Sequence, residues 1–360
     1  MKRSTLIFIF IGIFLVVTIP LLKPKILQAP ISKNNNQTKT EQKKPLVIPQ
    51  VTLATIFSNQ EPDLSGLDPS KIVKLIATGD VIPARGAGWP AVTKNDFNYN
   101  WEGTADYLKT GDITLINLEA PLVKGCPLVS SGFKFCADAR QVQGMLYAGV
   151  DVANLMNNHI DNYGAAAVAE TEKTLDDNHI LWSGFSNLAI NEVKGKKFGF
   201  LGYNGIGVKM NREAIAAEIK ESKAKVDVLI VSVHWGKEYE SLPMTDGNIA
   251  PDNPVEIGHL MIDSGADLII GNHPHWVQGV ELYKGKIIAY AHGNFIFDQT
   301  WSEETQEGAV GTYTFYDGKL IAVHYKPIVV DKSYQPVFVT GARADKILKQ
   351  MQDSSNQLAK

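Results

Sequence analysis

The chain of 360 residues is 44% hydrophobic and 20% charged, enough apolar material to bury a core, which excludes global disorder. Its formal net charge of −3 speaks against a protein devoted to nucleic acid, so no nucleic-acid partner is expected. Two cysteines are too few for a disulfide-built scaffold or a Cys-rich zinc module, which leaves the eight histidines as the residues to follow.

After Met1-Lys2-Arg3 an uncharged apolar run extends from Leu6 to Leu22. It is near the lower limit of the about 17–25 residues that span a bilayer. It exceeds the about 7–15 residues of a cleaved signal's apolar core, and no A-x-A site follows. Residues 1–22 are read as a transmembrane signal anchor. A cleaved export signal is the alternative, and a buried core helix is disfavoured because no polar face is visible. Lys2 and Arg3 favour a cytoplasmic tail, a preference weakened by Lys23 and Lys25 on the far side. The expected location is the cell membrane, single-pass, with the domain on the extracytoplasmic side, or secreted if the segment is removed. Residues 23–70, with Asn34-Asn35-Asn36 and scattered prolines, read as a flexible tether.

From Lys71 the pattern is globular. Strands are expected at Lys71 to Gly79, Asp112 to Leu118, Asp151 to Leu155, Val226 to Val233 and Asp267 to Ile270, alternating with helices at Arg140 to Gly149, Gly164 to Asp177, Asn211 to Lys223 and Val255 to Ser264. Val193 to Leu201 suggests a hairpin turning at Gly195-Lys196. Strands then follow one another: Val277 to Tyr283, Lys286 to Ala291, Val310 to Tyr316 and Leu320 to Tyr325, with turns at Lys284-Gly285 and Asp317-Gly318. Residues 71–330 are assigned to one α/β layered domain with parallel and antiparallel portions, and 331–360 to a C-terminal extension with a helix over Ala344 to Met351. Cys126 and Cys136 flank a short loop and can pair in an exported domain; two separate thiols remain open.

Polar residues collect just after strands, where α/β sheets hold ligands. They are Asp80, Glu119, Asn157-Asn158-His159, His234, His273-Pro274-His275 and His292-Gly293-Asn294. Carboxylate and imidazole donors without thiolate suit Zn, Mn or Fe. Two cations about 3.5–4 Å apart can clamp the attacking and leaving oxygens of a displacement. Taken singly, Asp80 can be a turn cap, Glu119 a solvated loop residue, and His159 or His234 a satisfied histidine. In an extended segment His273 and His275 point the same way, which strengthens that pair.

The order Gly79-Asp80, Asn117-Leu118-Glu119, Asn157-Asn158-His159 with Asp161-Asn162-Tyr163-Gly164, His234-Trp235-Gly236 with Glu238-Tyr239, Gly271-Asn272-His273-Pro274-His275 and Gly293-Asn294-Phe295 with Phe297-Asp298 resembles the CapA family of poly-γ-glutamate capsule synthesis proteins. That family is similar, as a remote branch, to the calcineurin-like metallophosphoesterases. The resemblance spans about residues 72–330. It implies a four-layer α/β/β/α metallophosphoesterase-like sandwich, with one or two divalent ions held by Asp80, Glu119, Asn158, His234, His273 and His275. It implies His159 as the acid on the leaving group. Asp161 would orient His159 or serve an Asx turn. Substrate contacts are assigned to Arg85, Glu238, Tyr239 and Asn294, with Trp89, Trp235 and Trp301 as further lining or as core packing. Arg85 would bind an anionic group or pair with a nearby carboxylate. The phosphoesterase pattern Asp-x-His is broken by Ile82, which cannot coordinate, and His292 stands behind the site. The implied activity is metal-dependent hydrolysis or transfer on an anionic polymer or phosphoester, at an amide or phosphoester bond. The implied partners are the polymer and a membrane-bound synthase or export complex. The alternatives are a non-catalytic polymer-binding component and a generic secreted phosphodiesterase.

Overall fold

The computed structural model describes residues 47–58 and 60–359. Its elements, in chain order, are α1 (Leu53–Ile56), β1 (Ile72–Val81), α2 (Arg85–Lys94), α3 (Ala105–Leu108), β2 (Ile113–Leu118), β3 (Leu122–Val123), β4 (Ala137–Asp138), α4 (Val142–Tyr147), β5 (Val152–Asn154), α5 (Ala165–Asp177), β6 (Leu181–Ser183), β7 (Ala189–Val193), β8 (Lys196–Asn204) and α6 (Arg212–Lys223). They continue with β9 (Val228–His234), α7 (Pro254–Ser264), β10 (Leu268–Asn272), β11 (Val280–Tyr283), β12 (Lys286–Ala289), β13 (Asn294–Ile296), α8 (Glu303–Gln306), β14 (Glu307–Tyr316), β15 (Lys319–Val330), β16 (Pro336–Phe338) and α9 (Ala342–Leu358).

The strands make two large sheets, ordered β16-β15-β14-β1-β2-β5-β6 and β11-β12-β10-β9-β8-β7. β13 adds to β1 off the first path, and β3 and β4 pair by themselves. In the first sheet β1, β2, β5 and β6 run parallel, and β14, β15 and β16 continue it antiparallel. In the second, β8, β9, β10 and β12 are parallel between antiparallel edges β7 and β11. Alternation along each strand decides what each face meets. Ile76, Ile116 and Ala153 face helices with Ala87, Leu108, Met145 and Leu175. Their neighbours Leu75, Ala77, Leu115 and Val152 face Phe198, Phe200, Val228, Ile230, Leu268 and Ile270 of the other sheet. Leu229, Val231, Val233 and Ile269 turn outward to Ile215, Ile219, Ile257 and Met261 of α6 and α7. The apolar clusters are thus stacked helix–sheet, sheet–sheet and sheet–helix, in a mixed α/β fold rich in sheet. β9 is buried along its whole length, as its unbroken apolar run requires.

Several expectations shift. Packing begins upstream of Lys71: Thr52 caps α1, and Ile56 is 2% exposed in the inter-sheet core. Beyond residue 330, β16 pairs with β15, and α9 is longer than Ala344 to Met351 and buries Ile347 and Met351 in the same core. The first hairpin turns at Lys194-Gly195, not Gly195-Lys196. Both residues take positive φ (50° and 72°), as do Lys284-Gly285 and Asp317-Gly318 where turns were expected. α2 was not among the expected helices; Gly86, Gly88 and Pro90 are poor helix formers. A Cβ at Gly88 would stand 2.6 Å from the Pro83 carbonyl, so close contact, not propensity, selects that residue. Among the described residues no helix is long and apolar enough to cross a membrane. The run Leu6 to Leu22 and most of the expected tether lie outside them.

Candidate metal centre

Strand register brings the polar residues to one level. Asp80 on β1 lies beside Asn117 of β2 and Asn294 of β13, and His234 on β9 lies beside Asn272 of β10. β13 can run so close to β1 because Gly79 has no side chain: a Cβ there would stand 1.9 Å from the Gly293 carbonyl oxygen. Several residues around the centre hold positive φ without being glycine: Arg85 (51°), Tyr239 (60°), His273 (99°) and His275 (58°). Such backbone costs about 1–3 kcal/mol each and collects where function over-determines the chain. It also corrects the expectation for His273 and His275. They do not sit in an extended segment. A turn, not strand alternation, brings their rings within 5.8 Å of each other.

Glu119 follows β2 and is fully buried. Neither of its oxygens has a hydrogen-bond partner; His234 Nε2 approaches Oε1 to 3.3 Å without the alignment of a hydrogen bond. Burial first, and then the charge of Asp80, push its carboxyl well above the usual range. For Asp80 the cost of burial is overcome by the hydrogen bond and charge of His275, the charge of His234 and the Asn117 amide, so its pKa is lowered. Asp80 Oδ1 accepts from Asn117 Nδ2 at 2.9 Å, and Asn117 Oδ1 accepts from Asn154 Nδ2 at 2.9 Å. This asparagine chain runs along the ends of three parallel strands. The sequence signal for it is an Asn near the end of β2 and another at the end of β5.

His273 Nδ1 lies 3.2 Å from His234 Nε2, and burial lowers both rings, His234 to about 3. His275 Nδ1 lies 3.2 Å from Asp80 Oδ2 and 2.9 Å from Asn294 Oδ1. Burial opposes its proton, but the hydrogen bond to Asp80 and the charges of Glu119, Asp80 and Glu238 raise it to about 9. His159, after β5, presents Nε2 4.0 Å from Glu119 Oε1 and holds Asn162 Oδ1 through Nδ1 at 3.0 Å. Burial lowers it to about 4, so the ring is neutral at pH 7.

Ligand atoms of Asp80, Glu119 and His234 lie within 4.8 Å of one another, as do those of Glu119, His273 and His275. Glu119 is common to both groups, a carboxylate able to bridge. The buried and unpartnered Asn158 Oδ1, Asn272 Oδ1 and His273 Nε2 join its two oxygens as acceptors or lone pairs without donors. Oxygen and nitrogen donors of this kind fit a divalent cation, and burying them unpaired is otherwise costly.

Other assigned residues fall differently. Asp161 is exposed, and its backbone carbonyl closes a turn with Gly164 N–H; Asn162, not Asp161, meets His159. A side chain one position off in a turn cannot be read from sequence. Arg85 is held by Asp298, donating through Nε at 2.9 Å, and by the Gly132 carbonyl at 2.6 Å through Nη1. The carboxylate alternative is therefore the one observed. Asn294 is 1% exposed and meets His275 Nδ1 through its Oδ1 at 2.9 Å, with its Nδ2 donating to Thr305 O. Glu238 Oε1 stands 3.8 Å from His275 Nε2, and Tyr239 receives Gln299 Nε2 at its hydroxyl and packs against Trp301. Trp235 is core, stacked on Tyr290, whereas Trp89 and Trp301 are exposed. His292 is buried behind the site between Thr78 O and Tyr313 OH. Ile82 is fully buried and makes a backbone bond to Ile296.

The chain is 26% identical over 341 residues to the capsule biosynthesis protein CapA of Bacillus anthracis, covering 84% of this chain and 80% of that one. It is 28% identical over 227 residues to the PGA biosynthesis protein CapA of Bacillus subtilis (strain 168), covering 57% of this chain and 58% of that one. A solved structure of a hypothetical protein from Thermus thermophilus matches 71% of this chain and 98% of its own at 16% identity, with a TM-score of 0.46. The family model described as bacterial capsule synthesis protein PGA_cap matches residues 74–299, which include Asp80, Glu119 and every candidate histidine ligand. The chain belongs to that family of bacterial capsule synthesis proteins.

Proposed function

We propose that this chain is a metal-dependent hydrolase or transferase of capsule or poly-γ-glutamate synthesis, of the metallophosphoesterase type, acting on an anionic polymer at the outer face of the membrane. The observation that carries the reading is Glu119, fully buried with both oxygens unpartnered, among ligand atoms of Asp80, His234, His273 and His275. A divalent ion of the Mn, Fe or Zn kind, held by these residues with Asn158, supplies Lewis acidity to an oxygen of the scissile group. Asn117 and Asn154 hold Asp80, and Asn294 holds His275, so the ligands are oriented before a cation arrives. His159 is neutral in the free protein and presents Nε2 toward the site, so it would accept the proton released by the attacking water or hydroxyl and pass it to the leaving group. Glu238 and Tyr239 form the wall beside His275, where substrate is bound. The disulfide between Cys126 and Cys136 supports an oxidising compartment, and the run Leu6 to Leu22 supports an anchor.

The test is a purified protein grown with Mn, Fe or Zn. Bound metal by plasma mass spectrometry, with cleavage or transfer of γ-linked polyglutamate lost in His159→Ala, is the expected result; a metal-free protein sinks the reading. A second reading, a polymer-binding component without turnover, is favoured by Ile82 in the place of a ligand and by the pairing of Arg85 with Asp298. Normal polymer output in cells carrying His159→Ala selects it.

A further inference from the structure

One short loop reaches into the site from outside the ligand set. Cys126 and Cys136 form a disulfide with their Cα atoms 5.8 Å apart. Between them residues 130–134 are exposed, Phe133 at 71%, so the loop has little burial of its own to set its course. Its inward contacts are specific. The Gly132 carbonyl accepts from Arg85 Nη1. Phe135 is buried, stands edge-on to the His159 ring at 4.4 Å and lies 4.9 Å from the Arg85 guanidinium. The Phe135 N–H donates to Asn162 Oδ1 at 2.8 Å, the same atom that meets His159 Nδ1. After the disulfide, β4 pairs with β3, so the bond ties the loop to a stretch already held in register.

We propose that the disulfide-closed loop 126–136 is the positioning element for His159, with Phe135 as its positioning residue, so that this ring is aligned only in the oxidised protein. The inference rests on the reading of His159 given above. The ring is fixed by one hydrogen bond and one aromatic contact, and both partners, Asn162 and the Phe135 ring, are linked through the Phe135 backbone. Locked neighbours of this kind are what hold a reacting group in its working orientation. A dithiol such as dithiothreitol opens the loop. Two electrons and two protons pass to the protein, the S–S bond becomes two thiols, and the reagent closes to its own cyclic disulfide. None of the candidate metal ligands lies on the loop, so metal capture does not depend on it.

The test uses the full chain loaded with Mn or Zn, comparing wild type, Cys126→Ser with Cys136→Ser, and Phe135→Leu. The His159 ring signals are followed in histidine-labelled protein, assigned by His159→Gln. With Zn, a ring-current shift is expected in oxidised wild type. It disappears in both variants and on adding dithiothreitol, and returns on reoxidation. With Mn or Zn, kcat falls about tenfold or more in both variants, as displacement of a reacting group does, while KM and metal content stay within about twofold of wild type. Unchanged His159 signals and kcat in the double variant overturn the proposal. Phe135→Leu keeps the disulfide, so it decides the matter if the double variant does not fold. If wild type turns over no substrate, the proposed function fails, and the ring shift still decides this inference.

Discussion

Glu119 is a buried carboxylate whose oxygens meet no donor. A group in that position is tolerated when it is protonated or when a cation compensates it. Glu119→Gln keeps the shape and removes the charge. Metal content is expected to fall about tenfold or more, while the thermal midpoint of the metal-free protein stays level or rises; scanning calorimetry and plasma mass spectrometry on the same sample check both. His275 gives a pH dependence. Its ring keeps a proton up to about pH 9 when no cation is present, because Asp80, Glu119 and Glu238 surround it. A cation must displace that proton, so apparent affinity rises with pH between about 6 and 9, by about tenfold per unit for one proton released. Calorimetric titrations in buffers of different ionisation enthalpy measure the proton directly, and a buffer-independent heat contradicts the assignment. Asp80, Glu119 and the histidines were legible because each ends or follows an apolar run. Asn162 was not, since nothing in Asp161-Asn162 says which side chain the turn aims at His159.

β1 carries the first candidate ligand, and its pairing with β13 depends on one missing methyl. Gly79→Ala forces a Cβ against the Gly293 carbonyl, which is backbone and cannot step aside. Loss of about 3 kcal/mol, the upper end of the overpacking range, is expected in urea unfolding, together with lower metal content, because Asp80 and Asn294 pair directly across that contact. α9 tests the opposite case. Met351 is fully buried in the inter-sheet core, remote in sequence from the ligands. Met351→Ala is expected to cost about 2–5 kcal/mol and to leave metal stoichiometry unchanged. The strongly patterned helices α5, α6 and α7 were visible from their spacing. α2 and α1 were not, as α2 is selected by close packing at Gly88 and α1 is a single turn fixed by the Thr52 cap and the burial of Ile56.

The candidate metal centre lies where the carboxyl ends of two sheets meet, so a cation held there would join the two sheets. A ligand that binds only the folded state stabilises it by mass action, by about 2.7 kcal/mol at a free concentration a hundredfold above Kd. Stripping the metal with a chelator is therefore expected to lower the thermal midpoint, and readdition to restore it. From the order of residues alone came the alternation of strands and helices, the strand-end donors and the family resemblance, because period, chain order and side-chain chemistry are local properties. Three-dimensional folding decided the rest: that Glu119 reaches both candidate ligand groups, that Asp298 pairs with Arg85, and that the segments before Lys71 and after residue 330 enter the core. Those outcomes depend on which distant faces are pressed together and which buried polar atoms are left without partners, and neither quantity exists until the two sheets have closed on each other.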